Sequence, residues 1–382
     1  MTGTPTSGEI IVNVFGRTDV GRTREHNEDC FIVADLTTMN ATLQPEVRSH
    51  KPGNRGSLFM VADGMGGAAA GEIASAMATE VVLSELDSRW RQASDSSPET
   101  FARALKAATE AANARINRYA AEHPENRGMG TTATIAGILG DTLYLTQVGD
   151  SRGYLVRGGV ARQITKDQSL MQKLIEAGEL TAEEAEVSER RNIILQALGP
   201  EPMVKVDLTS QQIRRGDTLI LCSDGMSGQM RTPDISRIVT EDPDLMTTCR
   251  KLIDLANENG GPDNITVIAV RFEGSGLLPP SDGEEPAHQV YASESEARAT
   301  VPVSAAAIAA AERAAGPVSP DAVTDEVVAM PSAPAAAAPV VAKTDASAAG
   351  DSRIPVGVLR IIFGSLAALL ALYLLLIAIR RS

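Results

Sequence analysis

L-F-M-V-A-D-G, residues 58–64, is a row of five apolar residues that runs straight into an aspartate and a glycine. The same grammar returns in L-T-Q-V-G-D at 145–150 and L-I-L-C-S-D-G at 219–225. It is reversed at 263–270, where Asp263 and Asn264 stand just ahead of the apolar run Ile265 to Val270. A carboxylate at the end of a buried strand is costly to desolvate unless something positive meets it. One Asp-Gly pair after a strand is an ordinary turn. Four strand-end aspartates with few Lys or Arg beside them call for metal ions.

Around these stretches the text divides into blocks. Gly8 to Phe15, Cys30 to Leu36 and Ser57 to Ala62 read as strands, with Pro52, Gly53, Asn54 and Gly56 turning the chain before the third. Two helices are expected next. Glu72 to Arg89 places Ile73, Ala76, Met77, Val81 and Leu83 on an apolar stripe, and Pro98 to His123 repeats Phe101, Leu105, Ala108, Ala112 and Ile116 at helical spacing. Thr131 to Ile138, Thr142 to Val148 and Gly153 to Val156 read as antiparallel strands, and 167–191 as a polar, helical, exposed insertion. Thr218 to Cys222 and Ile265 to Arg271 are further strands flanking a helix near Asp244 to Asn259. Strands and helices come in blocks instead of strict alternation, which gives an α+β fold of antiparallel sheets with helices packed outside.

Composition bounds the rest. With 43% hydrophobic residues in 382, the chain holds enough apolar material for a sizeable core. Near residue 274 the text turns to Ala, Pro, Ser and Glu, so the organisation expected is a folded domain at 9–273, a disordered acidic linker at 274–354 and a transmembrane helix at 355–380. Such a tether has a root-mean-square reach of roughly 50 Å. Ile361 to Ile379 contains no charge and is bracketed by Arg360, Arg380 and Arg381; about 20 apolar residues cross the ~30 Å hydrocarbon layer as a helix. Met1 to Gly8 lacks the features of a secretory signal, so the folded domain is expected in the cytoplasm, held at the membrane by a single pass. Cys30, Cys222 and Cys249 are odd in number and set among apolar neighbours, which suits reduced thiols. The net charge of −14 argues against sequence-independent nucleic-acid binding, which runs on phosphate neutralisation by Lys and Arg.

The ligand types select the metal. Carboxylates, backbone carbonyls and water suit Mg²⁺ or Mn²⁺, and no His or Cys cluster has zinc spacing. Two such ions sharing carboxylates would acidify a water for in-line attack on phosphate. Arg24, in R-E-H-N-E-D, is the candidate to grip the phosphate oxygens.

Taken in order, R-E-H-N-E-D (24–29), V-A-D-G-M-G-G (61–67), G-M-G-T-T (128–132), V-G-D-S-R (148–152), C-S-D-G (222–225) and P-D-N-I-T (262–266) resemble the 2C-type, metal-dependent Ser/Thr protein phosphatases, particularly their bacterial branch. The resemblance covers about residues 9–273. It implies a four-layer α-β-β-α sandwich and a binuclear centre, with Asp63 bridging both ions, the Gly64 carbonyl on one, and Asp224 and Asp263 on the other. It further implies that Arg24 binds phosphate, that Glu28 and Asp29 support the metals or their waters, that Asp150 with Asp224 holds a third ion, and that 167–191 is a flap beside the site. Two positions depart from the pattern. Met65 stands where many eukaryotic members have a His proposed as general acid, so the leaving-group proton is expected from a metal-bound water. Gln168, in T-K-D-Q-S, stands where relatives often have His, which puts the flap's substrate contacts in question. His26, His50, His123 and His288 read as structural or solvated.

Other phosphatase chemistries are excluded by inspection. A cysteine phosphatase needs Arg six positions after its Cys, and Leu36, Gly228 and Leu255 stand there. The D-x-D-x-T signature is absent, as is the G-D-x-H-G and G-N-H-[DE] pair. A dead, membrane-tethered interaction module would have lost a metal aspartate, and none is lost. Between broad substrates and one dedicated partner, tethering favours phosphoproteins that are themselves at the membrane, with membrane-anchored Ser/Thr kinases the preferred expectation.

Overall fold

Leu58, Met60 and Ala62 face one way from their strand and Phe59 and Val61 the other, yet both sets are fully buried. A strand covered on both faces lies inside a layered structure. The computed structural model describes residues 8–41, 49–66, 70–188 and 190–291, all within one compact unit, Met1–Val303. A second unit, Ser304–Ser382, and with it the expected transmembrane helix at 355–380, lies outside the described residues. Among the described residues no helix is long and apolar enough to cross a membrane.

The chain runs through β1 (Ile11–Asp19), β2 (Cys30–Asp35), β3 (Ser49–His50), β4 (Ser57–Ala62) and β5 (Gly64–Met65) into α1 (Ala70–Leu86) and α2 (Pro98–Glu122). It continues through β6 (Gly130–Thr131), β7 (Ala133–Leu139), β8 (Thr142–Val148), β9 (Arg152–Arg157) and β10 (Val160–Gln163) to the short α3 (Leu170–Glu176) and α4 (Ala182–Glu186). β11 (Asp207–Gln212), β12 (Thr218–Cys222), α5 (Asp224–Ser227), α6 (Thr232–Glu241), α7 (Leu245–Glu258) and β13 (Ile265–Glu273) complete it. One sheet has the order β10-β9-β12-β13-β1-β3, the other β11-β8-β7-β4-β2, and the pairings are antiparallel.

Three apolar layers hold this stack together. Phe59, Val61, Leu219, Leu221, Ile268 and Val270 fill the space between the sheets. Leu58, Met60, Phe101 and Leu105 lie between the second sheet and α1 with α2, while Ile220, Val267, Leu252 and Ile253 lie between the first sheet and α6 with α7. Two sheets inside two helix pairs is the α+β sandwich expected. α2 is fixed by Ser97, whose hydroxyl accepts from the Thr100 N–H, and all five residues of its expected stripe are buried.

Three expectations need correction. α1 buries Ala74, Ala78, Val82 and Leu86, not the stripe read from the sequence; Ala76 is exposed and Ile73, Met77, Val81 and Leu83 are only partly covered. The small face lets the helix backbone approach the sheet, and the larger side chains lie to its flanks. β11 and α6 had no counterpart in the sequence reading. The folded domain also does not stop at 273. Ser210 N–H donates to the Gln289 carbonyl, Tyr291 N–H donates to the Leu208 carbonyl, and the Tyr291 ring meets Tyr144 edge-on at 5.6 Å. Residues 274–291 therefore form a strap whose end, 287–291, runs along β11, in a segment expected to be linker.

Candidate metal centre

Strand register brings the aspartates to one end of the stack. In the second sheet Cys30 pairs with Ala62, so Asp29 before β2 and Asp63 after β4 are neighbours. In the first, Cys222 pairs with Val267, and the Ser223 N–H donates to the Thr266 carbonyl at 3.1 Å, which sets Asp224 beside Asp263. Asp29 joins the two halves. Its Oδ2 accepts from Ser223 Oγ at 2.8 Å and from Thr266 Oγ1 at 2.6 Å.

The glycines of the two D-G pairs answer to close approach. A Cβ on Gly64 would sit 2.5 Å from the Glu28 carbonyl oxygen, and one on Gly225 would sit 2.0 Å from that of Asn264. Only glycine lets these turns nest against the loops that carry Glu28 and Asp263. The Asp63 main chain is clamped in turn. Its N–H donates to Thr132 Oγ1 at 3.0 Å and its carbonyl accepts from Thr131 Oγ1 at 2.9 Å, which accounts for the G-T-T motif.

Burial pushes the Asp63 carboxyl well above the usual range, and the charges of Asp29, Asp224, Asp150 and Asp263 push it further. Asp29 is driven up to about 7 by burial, against the pull of its Thr266 and Ser223 hydrogen bonds. Asp150 also rises to about 7, through burial and the charges of Asp224 and Asp167, with Arg152 opposing. Asp224 is raised by burial and Asp263, while a hydrogen bond with the Asp63 side chain lowers it. Two carboxylates pair in that way only with a proton or a cation between them.

The test of fit is in the unpaired atoms. Asp29 Oδ1, Asp150 Oδ1 and Asp224 Oδ1 are buried with no hydrogen-bond partner, three of six such side-chain atoms among the described residues. Buried carboxylate oxygens without donors are what hard divalent cations take. Among the described residues no group of three or more acidic, His or Cys side chains is drawn in tightly enough to hold an ion as it stands. Cation binding therefore requires these carboxylates to turn toward a shared point.

Arg24 stands over the acidic end, about half exposed, with Nη2 donating to Asp263 Oδ2 at 2.8 Å. Burial opposes its charge, but Asp263, Glu28 and Asp63 overcome that and raise its pKa. The Glu28 N–H donates to Asn264 Oδ1, and the Glu28 carboxyl lies against Gly71. Asn264 was not singled out for a role in the sequence reading. Its Nδ2 donates to the Val20 and His26 carbonyls, so one side chain ties the Arg24 loop to the start of β13. The only hint was its place in P-D-N-I-T. Of the histidines, His50 bonds Ser57 and His123 stacks on Tyr119, outside the acidic group.

A cleft of about 640 Å³ opens above the carboxylates. Arg24, Asp150, Asp224 and Asp263 form part of its wall, with Arg152, Met171 and Ile175 opposite or beside them. Arg152 is pinned to Asp167 by paired contacts at 2.9 and 2.7 Å. α3 and α4 cover the cleft from the exposed 167–191 segment, where the sequence reading put an insertion.

This chain is 37% identical over 255 residues to the Listeria innocua serine/threonine phosphatase stp, covering 66% of this chain and 93% of that one. Its fold overlays the crystal structure of the Mycobacterium tuberculosis serine/threonine phosphatase PstP/Ppp with a TM-score of 0.58 at 34% identity, over 71% of this chain and all of that one. The catalytic domain of PstP in complex with two manganese ions gives a TM-score of 0.56 at 34% identity, over 69% of this chain and 99% of that one. The family described as protein phosphatase 2C matches residues 43–265. Asp63, Asp150, Asp224, Asp263 and both glycine-nested turns fall within that match, and the chain belongs to the protein phosphatase 2C family and is a protein phosphatase.

Proposed function

We propose that this chain hydrolyses phosphoserine and phosphothreonine on proteins at a pair of Mn²⁺ or Mg²⁺ ions, which Asp63 would help to hold. The carrying observation is the set of buried, unpartnered oxygens on Asp29, Asp150 and Asp224 around Asp63. The relatives' names and the two manganese ions in the PstP complex support the same reading. Bound there, the cations supply an acidified water and neutralise phosphate charge. Asp224 and Asp263, at the ends of β12 and β13, and the Gly64 carbonyl would help to hold the pair, and Asp150 with Asp224 would hold a third ion. Glu28 and Asp29 hold the surrounding waters in place. Arg24, now paired with Asp263, would bind two oxygens of the phosphate and orient it over the carboxylates. Met65 offers no proton, and no side chain is assigned as general acid.

The direct test gives the full chain a phosphothreonine peptide with Mn²⁺, with Mg²⁺ and with EDTA. Turnover is expected in the first two and none in the third. Persistent turnover in EDTA overturns the reading.

The substrates proposed are phosphoproteins at the membrane, membrane-anchored Ser/Thr kinases first among them, with the catalytic domain cytoplasmic and the 355–380 segment as anchor. The charge-free run Ile361 to Ile379 supports this. In cells, the full chain should fractionate with membranes and lower kinase phosphorylation more than a version ending at Tyr291. Equal effects from both would end the kinase part of the proposal.

A further inference from the structure

Gln168 does not line the cleft. It is buried, and its carboxamide faces inward. Oε1 accepts from the Gly149 N–H at 3.1 Å. Nε2 donates to Asp207 Oδ2 at 3.0 Å and to the Lys205 carbonyl at 3.2 Å, with the Gln147 carbonyl at 3.4 Å. Every neighbour of the nitrogen is an acceptor and the neighbour of the oxygen is a donor, so the orientation of the amide is fixed by chemistry. Its main chain adds two bonds: the Gln168 N–H donates to the Gly149 carbonyl at 2.9 Å, and its own carbonyl accepts from the Leu195 N–H at 2.8 Å. One residue thus holds Gly149 by both backbone groups. It also holds the chain that returns from the flap, at Leu195 and Lys205.

Gly149 sets the backbone from which Asp150 projects. It has a φ of +99°, and a Cβ there would lie 2.7 Å from Thr132 Cγ2. Asp150 follows it directly and carries a buried oxygen with no partner. Resting on the assignment of Asp150 as a cation ligand, we propose that Gln168 is a positioning residue that locks the Asp150 carboxylate to the base of the 167–191 flap, so that cation binding at Asp150 and flap position are coupled.

The test titrates the full chain with Mn²⁺ by calorimetry, comparing wild type with Asp150→Asn and Gln168→Leu, and follows tryptic cleavage at Arg190 and Arg191 with and without Mn²⁺. Asp150→Asn should remove the weakest binding step. Gln168→Leu should weaken that step by about tenfold or more and leave the tighter steps within about twofold, as loss of a group that orients a ligand does. Cleavage should be faster in Gln168→Leu, and Mn²⁺ should slow it in wild type but not in the variant. A purely structural role would lower the melting temperature without selecting one binding step. Asp207→Ala, which removes one partner of the carboxamide, should shift both readouts the same way by less, and it decides the matter where Gln168→Leu does not fold. Wild-type binding steps and cleavage in the folded variants overturn the proposal. If Asp150→Asn binds Mn²⁺ as wild type does, the ligand assignment of Asp150 fails and the proposed coupling fails with it; faster metal-free cleavage of Gln168→Leu would then show only that Gln168 holds the flap.

Discussion

Two groups of buried charge in this fold are treated in opposite ways. Arg157 and Asp217 are almost wholly buried, with side-chain exposures of 2% and 1%. Their needs are met by the chain itself. Arg157 donates to both Asp217 oxygens at 3.0 and 2.7 Å, to Glu284 and to the Gln212 carbonyl, and the Arg214 N–H covers Asp217 Oδ2. The carboxylates around Asp63 are left with oxygens that nothing donates to, and they raise one another's proton affinity. Paired buried charge is architecture. Unpaired buried charge, in a fold that shows it can pair charges elsewhere, marks where an external cation belongs.

Substitutions should separate the two groups. Asp63→Asn should lower kcat by about a thousandfold or more, since removing the proposed metal ligand forfeits several kcal/mol of charge stabilisation. Its urea midpoint should hold or rise. Retained turnover would break the contrast.

Arg157→Ala should do the reverse, costing about 3–5 kcal/mol of stability by stranding Asp217. Urea unfolding reads the loss, and activity per folded molecule should be unchanged.

The acidic group also makes stability depend on pH. Asp29 and Asp150 stand at about 7 in the fold against an ordinary 3.8. Between those values the folded chain keeps protons that the unfolded chain has released, so this contribution is present below about 3.8 and is lost as pH rises through about 7. In EDTA the melting temperature should therefore climb between about pH 8 and pH 6. Mn²⁺ at a hundredfold excess over its Kd should add about 2.7 kcal/mol. The gain should shrink at the lower pH, where protons compete for the same oxygens. A flat EDTA profile with no shift on adding Mn²⁺ would remove the distinction.

The strap belongs with the paired group. Ending the chain at 273 discards Glu284 and Glu285, which bind Arg157, Arg214 and Arg162, and Tyr291, which caps Tyr144. Relative to a chain ending at Tyr291, about 2–4 kcal/mol should be lost, from removing the fully buried Leu277 from the core and leaving the buried Arg157 guanidinium short of an acceptor. Equal denaturation midpoints for the two lengths would show the strap to be passive. The smallest effect is expected from Arg24→Ala, which should raise KM by about tenfold, the worth of one charge-assisted contact, with a lesser change in kcat.

The sequence alone determined the strands that end in aspartate, because an unbroken apolar run and a terminal carboxylate are written in consecutive residues. Leu58 to Gly64 and Leu219 to Gly225 could be read without knowing their neighbours, and so could the capped, strongly periodic α2. What could not be read was whatever depends on a distant partner. The α1 stripe was misjudged because small residues become a packing face only against a sheet close enough to need them. β11, D-L-T-S-Q-Q, looks like loop until β8 supplies its hydrogen bonds. The acidic text of 281–285 looks like solvated linker until Arg157, Arg162 and Arg214 converge on it. Local composition fixes the cost of leaving water. Only the tertiary structure decides which groups return that cost, and which carboxylates are left waiting for a cation.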